Sequence, residues 1–205
     1  MSIDFMKITQ LKQGKKDQNR VHLHSEDKYL GTVYIDYVIA NHIGENVEIS
    51  KNDLNKIIKK SNRKKLFYLC IDFVMRRLRS EKEIREYIKK KYFTYKWDYS
   101  LKDTDRVVKK LSKYKYIDDE AFARLWASSR LRRGLGPSRL KIELYQKGIE
   151  KNLVENIIYE LDSELIESQR QQVEEKYLKK HKFKNDYEKV WKVKQYLMSR
   201  GFGSS

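Results

Sequence analysis

One proline, one cysteine and eight glycines in 205 residues make this a sequence short of several things at once. So few turn formers leave little material for an all-β fold dense in tight turns. The single cysteine, Cys70, has no partner for an internal disulfide. Set in the apolar run LFYLCIDFV, it reads as a buried, reduced thiol. No apolar run approaches the ~20 residues that a membrane-spanning helix requires, and Met1–Gln10 lacks the apolar centre of a signal peptide. No membrane contact is therefore expected, and the expected compartment is cytoplasmic. Histidine is scarce too. His22 and His24 fall on one face of an expected strand, but with only His42 and His181 elsewhere and no CxxC pair, a structural zinc site is not expected. GLGPSR at 134–139 has neither the Walker A nor the dinucleotide-fingerprint spacing. No serine is paired by motif with a base. Without a catalytic constellation, the chain reads as a protein that is not an enzyme and uses no cofactor or metal.

What the sequence has in excess is positive charge. The formal net charge is +17, with 40% hydrophobic and 37% charged residues. Residues 1–60 carry 10 Lys and Arg against 8 Asp and Glu, and residues 148–205 carry 11 against 10. Residues 61–147 carry 25 against 11, so +14 of the excess lies in the middle of the chain. Scattered lysines solvate a surface, whereas a concentrated block points to a polyanionic partner such as nucleic acid, a nucleoprotein or an acidic protein face.

Residues 7–13, 20–24 and 29–35 alternate or are rich in β-formers, and polar turns (GKKDQN and SEDK) separate them. They predict a small antiparallel meander. Ser50 and Asp53 have the spacing of an N-cap and its return partner, opening a helix over 50–60. Beyond it the pattern is helical and it repeats. IREYIKKKYF (84–93), LKIELYQKGI (140–149) and VKQYLMSRGF (193–202) each carry apolar residues four apart: Ile84 and Ile88, Leu140 and Leu144, Val193 and Leu197. Each ends on a large apolar residue, Phe93, Ile149 or Phe202. This spacing predicts a short helix closed by a Schellman turn, with Gly148 and Gly201 at the left-handed position and Tyr92 there in the first unit. The three helices should end near Lys91, Lys147 and Arg200. Pro137 marks the start of the middle one. Longer helical patterns flank each unit: 64–78 and 104–114, 119–133 and 151–162, then 163–181, with the third unit stopping at 201–205. The expected fold is mainly α, tandem three-helix repeats, solenoid-like and elongated, with a small β-rich N-terminal extension. The expected regions are 1–60, β-rich with a short helix; 61–117, repeat 1; 118–162, repeat 2; and 163–205, a partial repeat 3.

The pair Asp118–Asp119 precedes Phe122, Leu125, Trp126 and Ser129, which the helical period places on one face. A catalytic or metal-binding pair needs convergent partners, and none stands nearby. First-turn carboxylates accept from free N–H groups and complement the helix dipole, so both are read as a helix start.

YIDDEAFARLWASSRLRRGLGPSRLKIELYQKGI closely resembles the signature of the RecX family of recombination regulators. The flanking LRSEKEIREYIKKKYF and KVKQYLMSRGF resemble its other three-helix repeats, and the β-rich beginning resembles the N-terminal extension of longer members. The motif positions are Tyr116, Asp118, Asp119, Phe122, Ala123, Arg130, Gly136, Pro137, Leu144, Lys147, Gly148 and Ile149. With Trp126, most are assigned a structural role as caps, stripe and turn. The resemblance implies no catalysis. It implies binding to the RecA recombinase filament on single-stranded DNA, lowering its ATPase and strand-exchange activity in recombination and DNA repair. Partner contact is assigned to basic residues that caps and core leave unexplained: Arg124, Arg130, Arg132, Arg133, Arg139 and Lys141. A monomer is expected. The alternative is direct DNA binding, either duplex binding of helix-turn-helix type or single-strand binding through Tyr, Trp and Lys.

Overall fold

The computed structural model describes residues 4–26 and 28–203. The SEDK turn, which contains Asp27, and the last two residues of the third unit therefore lie partly outside the described residues. The chain forms two compact units, one comprising Met1–Asp72 with Ser100–Val107, the other Phe73–Tyr99 with Val108–Ser205. The strands are β1 (Phe5–Lys7), β2 (Gln10–Gln13), β3 (Arg20–Ser25), β4 (Lys28–Tyr34) and β5 (Glu48–Ser50). The helices are α1 (Ile35–Ala40), α2 (Lys51–Val74), α3 (Glu81–Thr94), α4 (Leu101–Lys113), α5 (Asp119–Leu131), α6 (Pro137–Gln146), α7 (Lys151–Tyr159), α8 (Ser163–Lys180) and α9 (Asp186–Ser199).

In the first unit, β2, β3 and β4 form the expected antiparallel meander, with Arg20 opposite Tyr34 and Gln10 opposite His24. Because side chains alternate along a strand, Val21, Leu23 and Val33 point inward to a core that also holds Ile8, Ile43, Leu54 and Ile57. The segment 7–13 is not one strand. It breaks at Ile8–Thr9, and β1 pairs instead with β5. The strand expected over 29–35 ends at Tyr34, and Ile35 instead opens the short helix Ile35–Ala40. Ser50 does cap as expected: its Oγ accepts from Asp53 N–H at 3.1 Å and donates to the Asp53 carboxylate at 2.7 Å. The helix that follows does not stop at residue 60. Ser61-Asn62-Arg63 contains no breaker, and the buried Ser61 hydroxyl accepts from Tyr34 N–H at 3.0 Å, so α2 continues through it.

The second unit is helical. One core joins Phe122, Ala123, Ala127 and Leu131 of α5 with Leu140, Leu144, Ile149, Val154 and Ile157. Leu125 is outside this stripe and 58% exposed. Successive residues turn by 100°, which places Phe122, Trp126, Ala123, Ala127 and Leu131 on one half of α5 and Leu125 on the other. A smaller core holds Val173, Val193, Leu197 and Phe202.

The short helices end as the spacing predicts in two cases. Gly148 takes φ +82° and Gly201 φ +89°. Ile149 N–H then reaches back to Leu144 O at 3.1 Å, and Phe202 N–H to Leu197 O at 3.0 Å, both of them Schellman closures. In the first repeat the closure lies four residues further on. Lys96 takes the left-handed position with φ +53°, Trp97 N–H donates to Tyr92 O at 3.0 Å, and the two rings meet edge to face. Tyr92 is thus the buried apolar anchor of the turn, not its left-handed residue, and Phe93 is 87% exposed.

Candidate partner-binding surface

The two aspartates divide their labour. Asp118 is the N-cap of α5, its Oδ1 accepting from Ala121 N–H at 2.8 Å. Asp119 Oδ1 instead accepts from the backbone N–H of Glu81, the first residue of α3, at 2.8 Å. Each carboxylate therefore serves a different helix start. Burial pushes the Asp119 carboxyl up, only partly countered by that hydrogen bond.

Ser80, the fully buried N-cap of α3, donates through Oγ to Lys147 O at 2.8 Å. Gly136, the N-cap of α6, donates its N–H to Arg200 O at 2.8 Å. Lys147 and Arg200 are the C-cap residues of α6 and α9. The same joint thus occurs twice, the N-cap of one short helix bound to the C-cap carbonyl of the next. Each joins a positive helix end to a negative one. Lys147 Nζ adds an ion pair with Glu83 at 2.7 Å, and the Arg200 guanidinium donates to Gly134 O and Arg133 O at 3.0 Å each. A Cβ on Gly148 would stand 2.7 Å from Lys82 Cβ, and one on Gly201 would collide with the Arg139 backbone. These glycines are required for close approach as well as for φ. Glu81, Ser80, Lys82 and Arg200 were not among the expected site residues. The available signal was the basic residue before glycine, Lys147-Gly148 and Arg200-Gly201.

Inside the middle repeat, Glu143 of α6 gathers three groups. Arg130 grips it with Nε to Oε2 and Nη2 to Oε1, both 2.7 Å, and Trp126 Nε1 donates to Oε2 at 2.9 Å. The Trp126 ring stacks on Phe122 and lies under the Arg130 guanidinium at 5.0 Å and Lys147 Nζ at 4.7 Å. Burial raises the Glu143 pKa, but the Arg130 and Trp126 hydrogen bonds outweigh it and hold the carboxyl below the usual glutamate value. Tyr116 closes α4, its N–H on Leu111 O at 3.0 Å, with Lys115 left-handed at φ +57°. Pro137 is the first residue of α6, and Leu144 and Ile149 lie in the core.

The six basic residues assigned to partner contact therefore differ in availability. Arg130 is locked on Glu143 with 29% of its side chain exposed. Arg124 bridges Glu120 and Glu160, and Lys141 pairs with Glu155. Arg132, Arg133 and Arg139 are exposed, and none forms an ion pair among the described residues. They stand at the end of α5 and the start of α6, beside the Arg200–Gly201 joint. These three exposed cations are without an ion-pair partner at hydrogen-bond distance among the described residues, and they are suited to attracting anionic groups and donating to them, carrying no proton-transfer chemistry. Among the described residues, no group of His, Cys, Asp and Glu is placed to hold a metal ion and no helix is long and apolar enough to cross a membrane.

Residues 118–157 match the family model described as RecX, second three-helix domain. Regulatory protein RecX of Oceanobacillus iheyensis is 28% identical over 207 residues, covering 97% of this chain and 73% of that protein. That of Bacillus subtilis is 29% identical over 198 residues, covering 95% and 72%. Among solved structures, a regulatory protein RecX superposes with a TM-score of 0.70 at 21% identity over 97% of this chain and 95% of the other. RecX from Lactobacillus salivarius gives 0.59 at 21% identity over 70% and 88%. At these identities the likeness is one of fold, over the residues each covers. The matched middle repeat, which contains the aspartate pair and the Gly148 turn, and the near full-length likeness to named regulatory proteins agree: the chain is similar to regulatory protein RecX along nearly its whole length, and its residues 118–157 match that family's second three-helix domain.

Proposed function

We propose that this protein regulates recombination by binding the RecA recombinase filament on single-stranded DNA and lowering its ATPase and strand-exchange activity, acting as a cytoplasmic monomer without catalysis of its own. The likeness to proteins named regulatory protein RecX supports the reading. The observation that carries it to particular residues is the set of exposed, unpaired arginines Arg132, Arg133 and Arg139 on a rigid interhelical joint. A nucleoprotein filament presents negative charge over a long surface, and cations fixed on a rigid element lose little entropy on meeting it. The working division is 1–60, 61–117, 118–162 and 163–205, with the middle repeat as the contact element.

Direct duplex reading by helix-turn-helix modules fits less well. A recognition helix offers its N-terminal residues to base edges, whereas the N-termini of α3 and α6 are covered by Lys147 and by Arg200 and Gly201. The test is to add the chain to RecA filaments assembled on single-stranded DNA and follow ATP hydrolysis. Inhibition well below one chain per recombinase, with direct retention of the chain on sedimented filaments, is expected. Inhibition that vanishes once bare DNA is saturated would assign the effect to competition for DNA.

A further inference from the structure

The first unit carries a feature that filament regulation by the middle repeat does not use. One face of the β2–β3–β4 sheet packs on the core; on the other, Lys12 and Tyr29 are exposed, His22 and His24 are half-buried, and Arg20, Thr32 and Tyr34 share the side but are buried. Strand alternation makes this set polar, basic and aromatic, with no carboxylate among the strand residues on that face. We infer that this sheet face is a binding platform for single-stranded nucleic acid, separate from the arginine joint of the middle repeat.

Tyr29 is the exposed ring, 56% accessible. His24 meets it edge-on at 5.7 Å and His22 lies at 6.1 Å, tilted. The Thr32 hydroxyl ties the group together, 2.7 Å from His22 Nδ1 and 2.6 Å from the Tyr29 hydroxyl. These side chains are therefore held in place before any ligand arrives, which lowers the ordering cost of binding. Two cations belong to the same side of the sheet. Lys12 lies opposite His22 in register and is exposed. Arg20 is 92% buried with no carboxylate partner: one Nη donates to Thr32 O at 3.2 Å, Nε has no partner, and the guanidinium lies over the Tyr34 ring. An arginine buried without a counter-ion on a face lacking carboxylates leaves a positive potential for an anion to satisfy. The strip from His24 to Arg20 runs roughly 13 Å, the reach of a few nucleotides. It ends at a cleft of about 610 Å³ lined by Tyr34, Tyr68, Lys64 and Asn19, together with Asp17 and an Asp36 already paired to Lys64.

A stacking ring flanked by cations is the arrangement that binds single strands without reading sequence, since every base offers a π-face and every phosphate a charge. An acidic protein segment would use the cations but not the ring. That difference decides the test. In the full chain, Tyr29→Trp places a fluorophore on an exposed site, its emission read as the difference from the parent. An oligothymidylate about 12 nucleotides long should quench it saturably, while heparin and polyglutamate, anions without bases, should not. Lys12→Glu in that background should raise the Kd by about threefold or more, and Tyr29→Ala in the parent should weaken oligonucleotide binding about tenfold. Both positions are exposed, so folding is retained, and circular dichroism checks it. No quenching by the oligonucleotide, or equal quenching by heparin or polyglutamate, would overturn the proposal. The filament is absent from this assay, so its outcome stands apart from the regulatory reading.

Discussion

At Asp119 the carboxylate satisfies the first N–H of a helix 38 residues away, and burial disfavours its ionised form. Two substitutions separate these effects. Asp119→Asn keeps the acceptor and removes the buried charge, so it should be neutral to mildly stabilising at pH 7. Asp119→Ala leaves Glu81 N–H unpaired and should cost about 1–2 kcal/mol, read by urea unfolding. Its pKa is raised on folding, so this group's contribution is lost as pH climbs above 3.8 through the folded value. Glu143 has the opposite sign. Its pKa is lowered on folding, so its contribution is complete above the unfolded value near 4.5 and is lost as pH falls through the folded one. Glu143→Gln should therefore flatten the acid limb of the stability curve below about pH 4.5, and leave the neutral region lower because the bidentate partner of Arg130 is gone. The sequence named Arg130 but not this tie. Thirteen residues and a helix turn separate it from Glu143, and no local pattern reports such a contact. The Asp119–Glu81 bond is hidden for the same reason, whereas the Asp118 cap, a local device three residues long, was plainly legible.

The short helices show what punctuation a sequence does and does not display. α6 was readable at both ends because Pro137 and Gly148 mark them, and α9 because Gly201 does. The end of α3 was misplaced by a turn because its left-handed residue is Lys96, which carries no compositional mark. The structure explains the difference. Gly148 and Gly201 are pressed against the start of another short helix, while Lys96 is exposed. Lys96→Gly and Lys115→Gly should each therefore stabilise, by up to ~1 kcal/mol, the left-handed penalty of a residue with a Cβ. Gly148→Ala and Gly201→Ala should cost more than that penalty alone, because the added methyl also forces the joint open. Thermal unfolding of the four variants checks the prediction, and costs at Gly148 and Gly201 no larger than the gains at Lys96 and Lys115 would mean φ alone matters. The same lack of marks concealed the length of α2, which crosses Ser61-Asn62-Arg63 without a proline or glycine, and the start of α1, whose first residue Ile35 read as the end of a strand.

Across the whole molecule, charge was the feature most easily read from the sequence and the least specific. The block at 61–147 points to an anionic partner, but its members are not equivalent. Arg77, Arg124, Arg130 and Lys147 are held in ion pairs within the fold, and Arg132, Arg133 and Arg139 are not. Only side-chain geometry makes that division, and it turns a statement about net charge into one about position. Electrostatic attraction acts over ~8–10 Å at ordinary ionic strength, so misplaced cations contribute little to a bound contact. The most direct measurement is filament ATPase inhibition by two triple variants with the same change in net charge, from +17 to +11. One is Arg132→Glu, Arg133→Glu and Arg139→Glu at the joint. The other is Lys176→Glu, Lys180→Glu and Lys182→Glu on exposed positions of the third repeat. With both variants folded, the first should raise the half-inhibitory concentration by about tenfold or more and the second by less than about threefold. Equal losses would mean that bulk charge, not the arginine joint, recruits the protein to its partner.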